Sequence, residues 1–478
     1  MEAVWEQRVK EAVKQKITGR IFSAFNTNID VIVHLNKQII KQWIDSTEGC
    51  TVEALNSIDV DNLEVVRDKL DFLAVIKDCL GKGKSFYIVL EDLSLFDWLE
   101  ENTPARREEM GGQAGIIANQ MAALDATSVV YTSLLSQKQA NLFFPEVLTP
   151  VIDDNGLKLN PVIESANKED STKINWIFEY AKGIEFDFGG EKVITPRANR
   201  VILSTRPEGA VMTFKGQVAD HLPELGEKID VAFMAGYHYC PTEEKAMQEY
   251  LTDCIEGLRK LKQNNSNLHL HFEYVPMKDQ EAEKKMLTAV AQEIQSFGIN
   301  ENEIKRVLAG FGFQKEADEI EKDERAFSLY EGALRIMETL GFERIQVHNL
   351  GYYVLVLKKP YPVALDQVRA SCLYASAVNA IKAKYGGYVK AEQVKEAASF
   401  GLSTIGIEQI KGFEAEMKRK GIVVPDNFLE EGIIEYDNHY LMIVPAHVVP
   451  NPISTVGMGA TISSSSYACE FSYVSQMR

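Results

Sequence analysis

Four short segments of this chain carry residue types that could act on a phosphorylated or hydroxylated ligand. Near one end, Asn451-Pro452-Ile453-Ser454-Thr455-Val456-Gly457-Met458-Gly459-Ala460-Thr461-Ile462-Ser463 follows a strand-like run, Tyr440 to Val444. Glycines ahead of a helix let backbone N–H groups approach an anion, and the helix dipole adds positive potential. A turn before a small-residue helix gives the same pattern, so this segment alone leaves both readings open. In Leu268-His269-Leu270-His271-Phe272-Glu273-Tyr274, strand alternation puts His269, His271 and Glu273 on one face. They could face a cleft or be satisfied in a core. A zinc triad would need further ligands, and none is evident. In Gly298-Ile299-Asn300-Glu301-Asn302-Glu303-Ile304, Asn300 and Glu303 share one side of a nascent helical turn. An amide with carboxylates suits magnesium that keeps its waters and meets phosphate, and it equally suits a solvated turn. Finally, Phe25-Asn26-Thr27-Asn28-Ile29-Asp30 and Met110-Gly111-Gly112-Gln113-Ala114 offer donors and acceptors at strand ends, as recognition of sugar hydroxyls requires; either could also be a capped turn.

The elements around these segments predict their placement. Short apolar runs (Ile21–Phe25, Val129–Tyr131, Val231–Ala235, Ile345–His348) alternate with helical patterns such as Thr242–Gln263 and Glu281–Phe297. This alternation predicts an α/β fold with a mostly parallel, doubly wound sheet, whose ligands sit at the carboxyl ends of the strands. Residues 31–110 and 155–215 break the pattern and read as strand-rich insertions forming a small lid domain. Residues 1–30, 111–154 and 216–478 then form the large domain.

With 51 basic and 69 acidic residues in 478, the net charge is −18. That surface repels nucleic acid and anionic lipid, so neither is an expected partner. No apolar run reaches the roughly 18 residues of a membrane span, the first residues lack a signal-peptide pattern, and the six cysteines are scattered without a C-x-x-C pair. The expectation is a cytoplasmic protein with its thiols in the core.

Taken together and in this order, the four segments resemble the ADP-dependent sugar kinases of the ribokinase-like superfamily, from Phe25 to the last helix. The resemblance implies a ribokinase-like large domain with a lid, and transfer of the β-phosphoryl group of ADP to a sugar, releasing AMP. It assigns Asn28, Asp30, Gly112, Gln113 and Asn175 to the sugar, and Glu273 and Glu303 to magnesium or another divalent cation. Asn300, His348, Val449 and Gly459 fall to the nucleotide, and the amides of Gly457 and Gly459 form an anion hole. One position departs from the pattern: Ala460 stands where the family has its aspartate base. That implies either a deliberate inactivating substitution or a natural variant that binds without turnover.

Lys192, Arg197, Arg200 and Arg206 form a basic run without an acid, against the acidic background. Arginine grips phosphate through paired hydrogen bonds. Phosphofructokinase members of the family bind the 6-phosphate with Lys and Arg of this lid, so the resemblance makes Lys173, Arg200 and Arg206 the expected ligands of a sugar phosphate, with Arg197 assigned to the nucleotide phosphates. Glucokinase members of the family carry a lid glutamate that takes a glucose hydroxyl. The corresponding stretch here, Gly81 to Tyr87, has no acid, although Glu91 lies close by. The sequence reading is thus an ADP-dependent 6-phosphofructokinase. A glucokinase, a bifunctional enzyme and a non-catalytic nucleotide or sugar sensor are its alternatives.

Overall fold

Ile21-Phe22-Ser23-Ala24-Phe25 is apolar except for one serine, and in the computed structural model strand Arg20–Phe25 lies inside the large sheet, buried almost throughout. The structure describes residues 1–90, 93–104, 106–453 and 457–476. Parallel strands bury both faces and so need near-continuous apolar runs. Strand Arg20–Phe25 pairs in parallel with Val231–Ala235 on one side (Ser23 beside Phe233) and with Thr127–Tyr131 on the other (Ser23 beside Val130). Beyond Val231–Ala235 the parallel array continues through His269–Glu273, Ser296–Asn300 and Arg344–His348. Antiparallel strands Tyr352–Lys358, His439–Pro445 and Ile433–Glu435 extend that edge. The hairpin of Leu148–Asp153 and Gly156–Pro161 completes the other, giving eleven strands among the described residues. A mostly parallel α/β sheet is what the sequence pattern predicts.

Two helices, Leu365–Tyr385 and Met458–Gln476, pack along each other, and the second lies across strands Val231–Ala235 to Arg344–His348. The first is buried on nearly every face from Ser371 to Ala383, which explains its lack of a polar stripe.

The second sheet has six strands, in the order Val65–Val66, Phe86–Leu90, Asn199–Thr205, Ile174–Tyr180, Asn28–His34 and Arg107–Gly111. Its own core gathers Trp43, Phe72, Trp98 and Phe178. The Trp43 ring meets Phe72 at 5.1 Å and Phe178 at 5.4 Å, edge to face. This is the strand-rich unit expected from the insertions, with different limits. Its first strand begins at Asn28, and residues 156–161, assigned above to the lid, pair in the large sheet instead. Alternation marks a strand without saying which sheet it joins. Residues 185–194 form a separate small hairpin.

None of the six cysteines is in a disulfide; five are buried and Cys50 is half-buried. No described helix is long and apolar enough to cross a membrane.

Candidate active site

The chain passes from the large sheet into the small one through Asn26-Thr27 and returns through Gly111-Gly112. Gly112 packs against the carbonyl of Asn26, which also accepts from the Ala114 amide at 3.1 Å. Asn26 is the hub of this crossing. Its amide donates to Gln113 Oε1 at 2.6 Å, and its Oδ1 accepts from Lys173 Nζ at 2.6 Å.

Register then lines up the polar groups. Asp30 stands beside Asn175 on the neighbouring strand, and Ser204 faces Asn175 from the next. Asp30 Oδ1 accepts from Asn28 at 2.6 Å and from Asn175 at 3.3 Å, while the Ser204 hydroxyl donates to Asn175 Oδ1 at 2.7 Å. Gly111 makes room for this cluster, since a Cβ there would sit 2.3 Å from Asn28 Nδ2 and 2.4 Å from Asp30 Oδ1. Burial pushes the Asp30 carboxyl up to about 6, against the pull of its amide partners and Lys173. Burial likewise brings Lys173 down to about 7, with Arg206 adding to the fall and Asp30 opposing it.

Tyr239 carries two cations on its ring. Lys173 Nζ lies 4.4 Å from the centroid and the Arg206 guanidinium 4.9 Å. Tyr87 and Ser204 also reach the Tyr239 hydroxyl. Burial, then Lys173 and Arg206, depress His238 to about 3, so its ring is neutral.

The other half of the site is built on strand ends of the large sheet. Glu273 is 5% exposed; burial raises its carboxyl to about 8, Ser463 opposes that shift and Glu303 adds to it. His271 Nε2 is 3.3 Å from Glu273 Oε2. Opposite Glu273 in register is Gly298, where a Cβ would collide with Ser463 Oγ at 2.7 Å and His271 Nε2 at 2.8 Å. Asn300 and Glu303 form a capping box: Asn300 Oδ1 accepts from the Glu303 amide at 2.9 Å, and Glu303 Oε2 accepts from the Asn300 amide at 3.0 Å. One Glu303 oxygen is thereby fixed. Burial holds that carboxyl at about 7. His348 pairs in register with Asn300; its ring, depressed to about 4 by burial, borders Gly459, and its Nδ1 has no hydrogen-bond partner among the described residues.

Ala460 sits in the first turn of helix Met458–Gln476, 5% exposed, behind Gly457 and Gly459, and Glu273 Oε1 also lies beside Gly459. Thr455, just ahead of Gly457, is outside the described residues, as is Glu91. Exposed Val448 and half-buried Val449 follow strand His439–Pro445, whose next residue, Ala446, donates to the Gly351 carbonyl, and Gly351 lies beside exposed Ile405 and follows exposed Leu350.

Among the sequence-derived candidates, the structure brings Asn28, Asp30, Gly112, Gln113, Lys173, Asn175 and Arg206 into one cluster. Glu273, Glu303, Asn300, His348, Gly459 and Ala460 form the other. Arg197 and Arg200 do not join either. Arg197 Nε donates to the Gly83 carbonyl at 2.6 Å, and Arg200 is exposed opposite Glu179, at the far end of the strand that carries Ser204. The acid-free stretch Gly81 to Tyr87 begins at that far end too. Further along, Tyr87 reaches the Tyr239 hydroxyl and Leu90 pairs with Thr205. Sequence reasoning missed His238, Tyr239 and Ser204. Asn26 and Tyr87 lay inside quoted segments without being singled out.

Comparison with known proteins places this geometry. The profile of the ADP-specific Phosphofructokinase/Glucokinase conserved region matches residues 19–469. The ADP-specific phosphofructokinase of Pyrococcus furiosus is 30% identical, over 96% of this chain and 97% of that protein. Among solved structures, the last common ancestor of ADP-dependent phosphofructokinases from Methanosarcinales superposes with a TM-score of 0.86 at 30% identity, covering 99% of each chain. An ADP-dependent kinase in complex with fructose-6-phosphate and ADPβS superposes at 0.82, with 30% identity and 98% coverage of each. The chain therefore belongs to the ADP-specific phosphofructokinase/glucokinase family.

Proposed function

We propose that this chain is an ADP-dependent 6-phosphofructokinase by descent, which binds ADP and fructose 6-phosphate and transfers the phosphoryl group slowly because Ala460 replaces the base. The observation that carries the sugar assignment is the pairing of Lys173 and Arg206 over one tyrosine ring, next to the Asp30–Asn175 cluster. Two cations suit a phosphate dianion, and the carboxylate and amides suit sugar hydroxyls. The similar kinase solved with fructose-6-phosphate and ADPβS supports the same ligands.

In the transfer, the attacking sugar oxygen bonds to the β-phosphorus of ADP and the bond to the bridging oxygen breaks, releasing AMP. Such a reaction depends mainly on positioning and charge neutralisation. The amides of Gly457 and Gly459, at a helix N-terminus, cradle the moving group. Glu273 and Glu303 would hold Mg²⁺ directly or through water. Their fit is good, because magnesium takes one or two carboxylates plus phosphate oxygens and water. No described cluster of three or more His, Cys, Asp and Glu could cage a metal by itself. Bound magnesium would neutralise phosphate charge. Asn300 and His348 face the nucleotide phosphates, and the apolar rim of Leu350, Ile405, Val448 and Val449 suits the faces of adenine. The six-stranded sheet acts as a lid over the sugar. Arg197 and Arg200 have no role in this reading.

The Ala460 methyl cannot accept the proton of the attacking hydroxyl. General-base catalysis contributes about 10²–10⁴-fold, so Ala460→Asp should raise ADP-dependent phosphorylation of fructose 6-phosphate by at least about 10²-fold. A folded Ala460→Asp chain that binds both ligands and still produces no AMP would overturn the assignment.

A further inference from the structure

Tyr239 reaches the sugar half of the site from the opposite sheet. After strand Val231–Ala235 the chain runs Gly236-Tyr237-His238-Tyr239 and closes a single 3₁₀ turn. Gly236 permits that turn, because its φ of 114° lies in the left-handed region and a Cβ there would stand 2.8 Å from Met212 Sδ. Tyr237 anchors the turn in the core of the large sheet. It is 0% exposed, and its ring lies 5.3 Å from Phe272 and 6.0 Å from Phe25. Tyr239 is thereby held by the large sheet, while its ring and hydroxyl meet the small one.

Strand direction brings its neighbours together. Strands Ile174–Tyr180 and Asn199–Thr205 are antiparallel, so Lys173, just ahead of the first, and Arg206, just after the second, emerge at the same end. Both cations lie against the Tyr239 ring, 4.4 Å and 4.9 Å from its centroid. The Tyr239 hydroxyl meets Tyr87 and Ser204 of the same sheet, which fixes the plane of the ring. Lys173 is 4% exposed and tied to Asn26. Arg206 is exposed at its strand end and has rotamer freedom to lose when it grips an anion. Two like charges gathered at one place repel, and the negative face of an aromatic ring attracts both.

We infer that Tyr239 is a positioning residue for the sugar phosphate: its ring, fixed by the large sheet, aligns Lys173 and Arg206 of the small sheet before the ligand arrives. The inference rests on the reading of Lys173 and Arg206 as the phosphate ligands. Two consequences make the ring matter to binding rather than to folding alone. It narrows the rotamers of Arg206 in the empty site, so less order remains to be imposed by the ligand. It also favours the ammonium form of Lys173, the form that pairs with a phosphate, against the burial that favours the neutral amine. Tyr239 acts through the two cations, and the other sheet supplies both of them.

The test titrates fructose 6-phosphate into the full chain by calorimetry and compares it with Tyr239→Leu, Tyr239→Phe and Tyr239→Phe carrying one, two or three ring fluorines. Circular dichroism and ADP affinity check that each variant is folded. Tyr239→Leu should bind the sugar phosphate about 5–30-fold more weakly, and Tyr239→Phe, which keeps the ring, should recover most of that loss. Fluorine withdraws charge from the ring face with little change of volume, so affinity should fall stepwise with each atom added. A merely structural ring would give a flat series. In an Arg206→Ala background the penalty of Tyr239→Leu should shrink, because one of the two cations it acts through is gone. Folded fluorinated variants that all match Tyr239→Phe overturn the inference, even if Tyr239→Leu does not fold. Unchanged fructose 6-phosphate affinity in both Arg206→Ala and Lys173→Met instead overturns the phosphate reading, and the inference with it.

Discussion

Arg200 stands opposite Glu179 across two antiparallel strands, whereas Arg206, six positions further on, lies 4.9 Å from the ring of Tyr239. A strand rises about 3.3 Å per residue, so these two arginines of one basic run are separated by roughly 20 Å. Arg206→Ala should weaken fructose 6-phosphate binding by about 1.5–3 kcal/mol, the range for hydrogen bonds to charged groups. Arg200→Ala should leave that affinity within about 0.5 kcal/mol of the parent, as surface substitutions do. Calorimetry on both variants checks the pair, and equal losses would mean that the lid sheet meets the sugar along its whole length.

Sugar binding should take up a proton. Lys173 is held down at about 7 in the ligand-free site, chiefly by burial. An anionic phosphate beside it favours the ammonium and raises that value. Above about pH 7 the free lysine is largely neutral and the bound one charged, so uptake approaches one proton near pH 8. Below about pH 7 it is already charged and this contribution fades. Calorimetry at pH 8 in buffers of different ionisation enthalpy reads the proton directly, and no buffer dependence there would contradict the role of Lys173.

Gly111→Ala should damage the sugar half and spare the nucleotide half. The added carbon meets Asn28 and Asp30 at 2.3–2.4 Å, and overpacking of this kind costs about 1–3 kcal/mol. Fructose 6-phosphate affinity should fall by a factor of roughly 5–150, with ADP affinity unchanged. Parallel titrations with the two ligands distinguish this from general unfolding.

The buried pair Arg344–Glu470 should be costly to break on one side. Arg344→Met leaves the Glu470 carboxylate at 0% exposure without its cation, and loss of one partner of a buried pair costs about 3–5 kcal/mol. The Tyr361 hydroxyl still donates to Glu470 and recovers only part of that. Adding Glu470→Gln should restore part of the loss, because a neutral amide tolerates burial better than a charge. Urea denaturation of the single and double variants measures both steps.

The motifs that were legible are those in which a strand end and the loop after it are contiguous in sequence. Asn28 and Asp30, Gln113, His271 and Glu273, and Gly457 with Gly459 are each local, so residue types and spacing singled them out as candidates. Arg197 and Arg200 were misplaced because a run of cations along a strand does not reveal which end of the strand faces a ligand; only the pairing of Leu90 with Thr205 and of Asn175 with Ser204 decides that. His238 and Tyr239 follow strand Val231–Ala235 with no recognisable spacing, and they acquire meaning only when Lys173 and Arg206 arrive from the other sheet. Residues 156–161 alternate as a lid strand would, and their pairing with 148–153 in the large sheet is a matter of partners that local alternation does not encode.

Strand Arg20–Phe25, flanked by Thr127–Tyr131 and Val231–Ala235, also dictates an order of events on the ribosome. Its second neighbour is translated more than two hundred positions after it, so at 5–20 residues per second the apolar edge of Ile21–Phe25 waits roughly 10–40 s for a partner. During that interval the nascent chain exposes an unpaired strand edge, the feature most prone to mispairing. Slow or stalled synthesis before Ala235 should therefore make this protein a client of holding chaperones, whatever the stability of its finished fold.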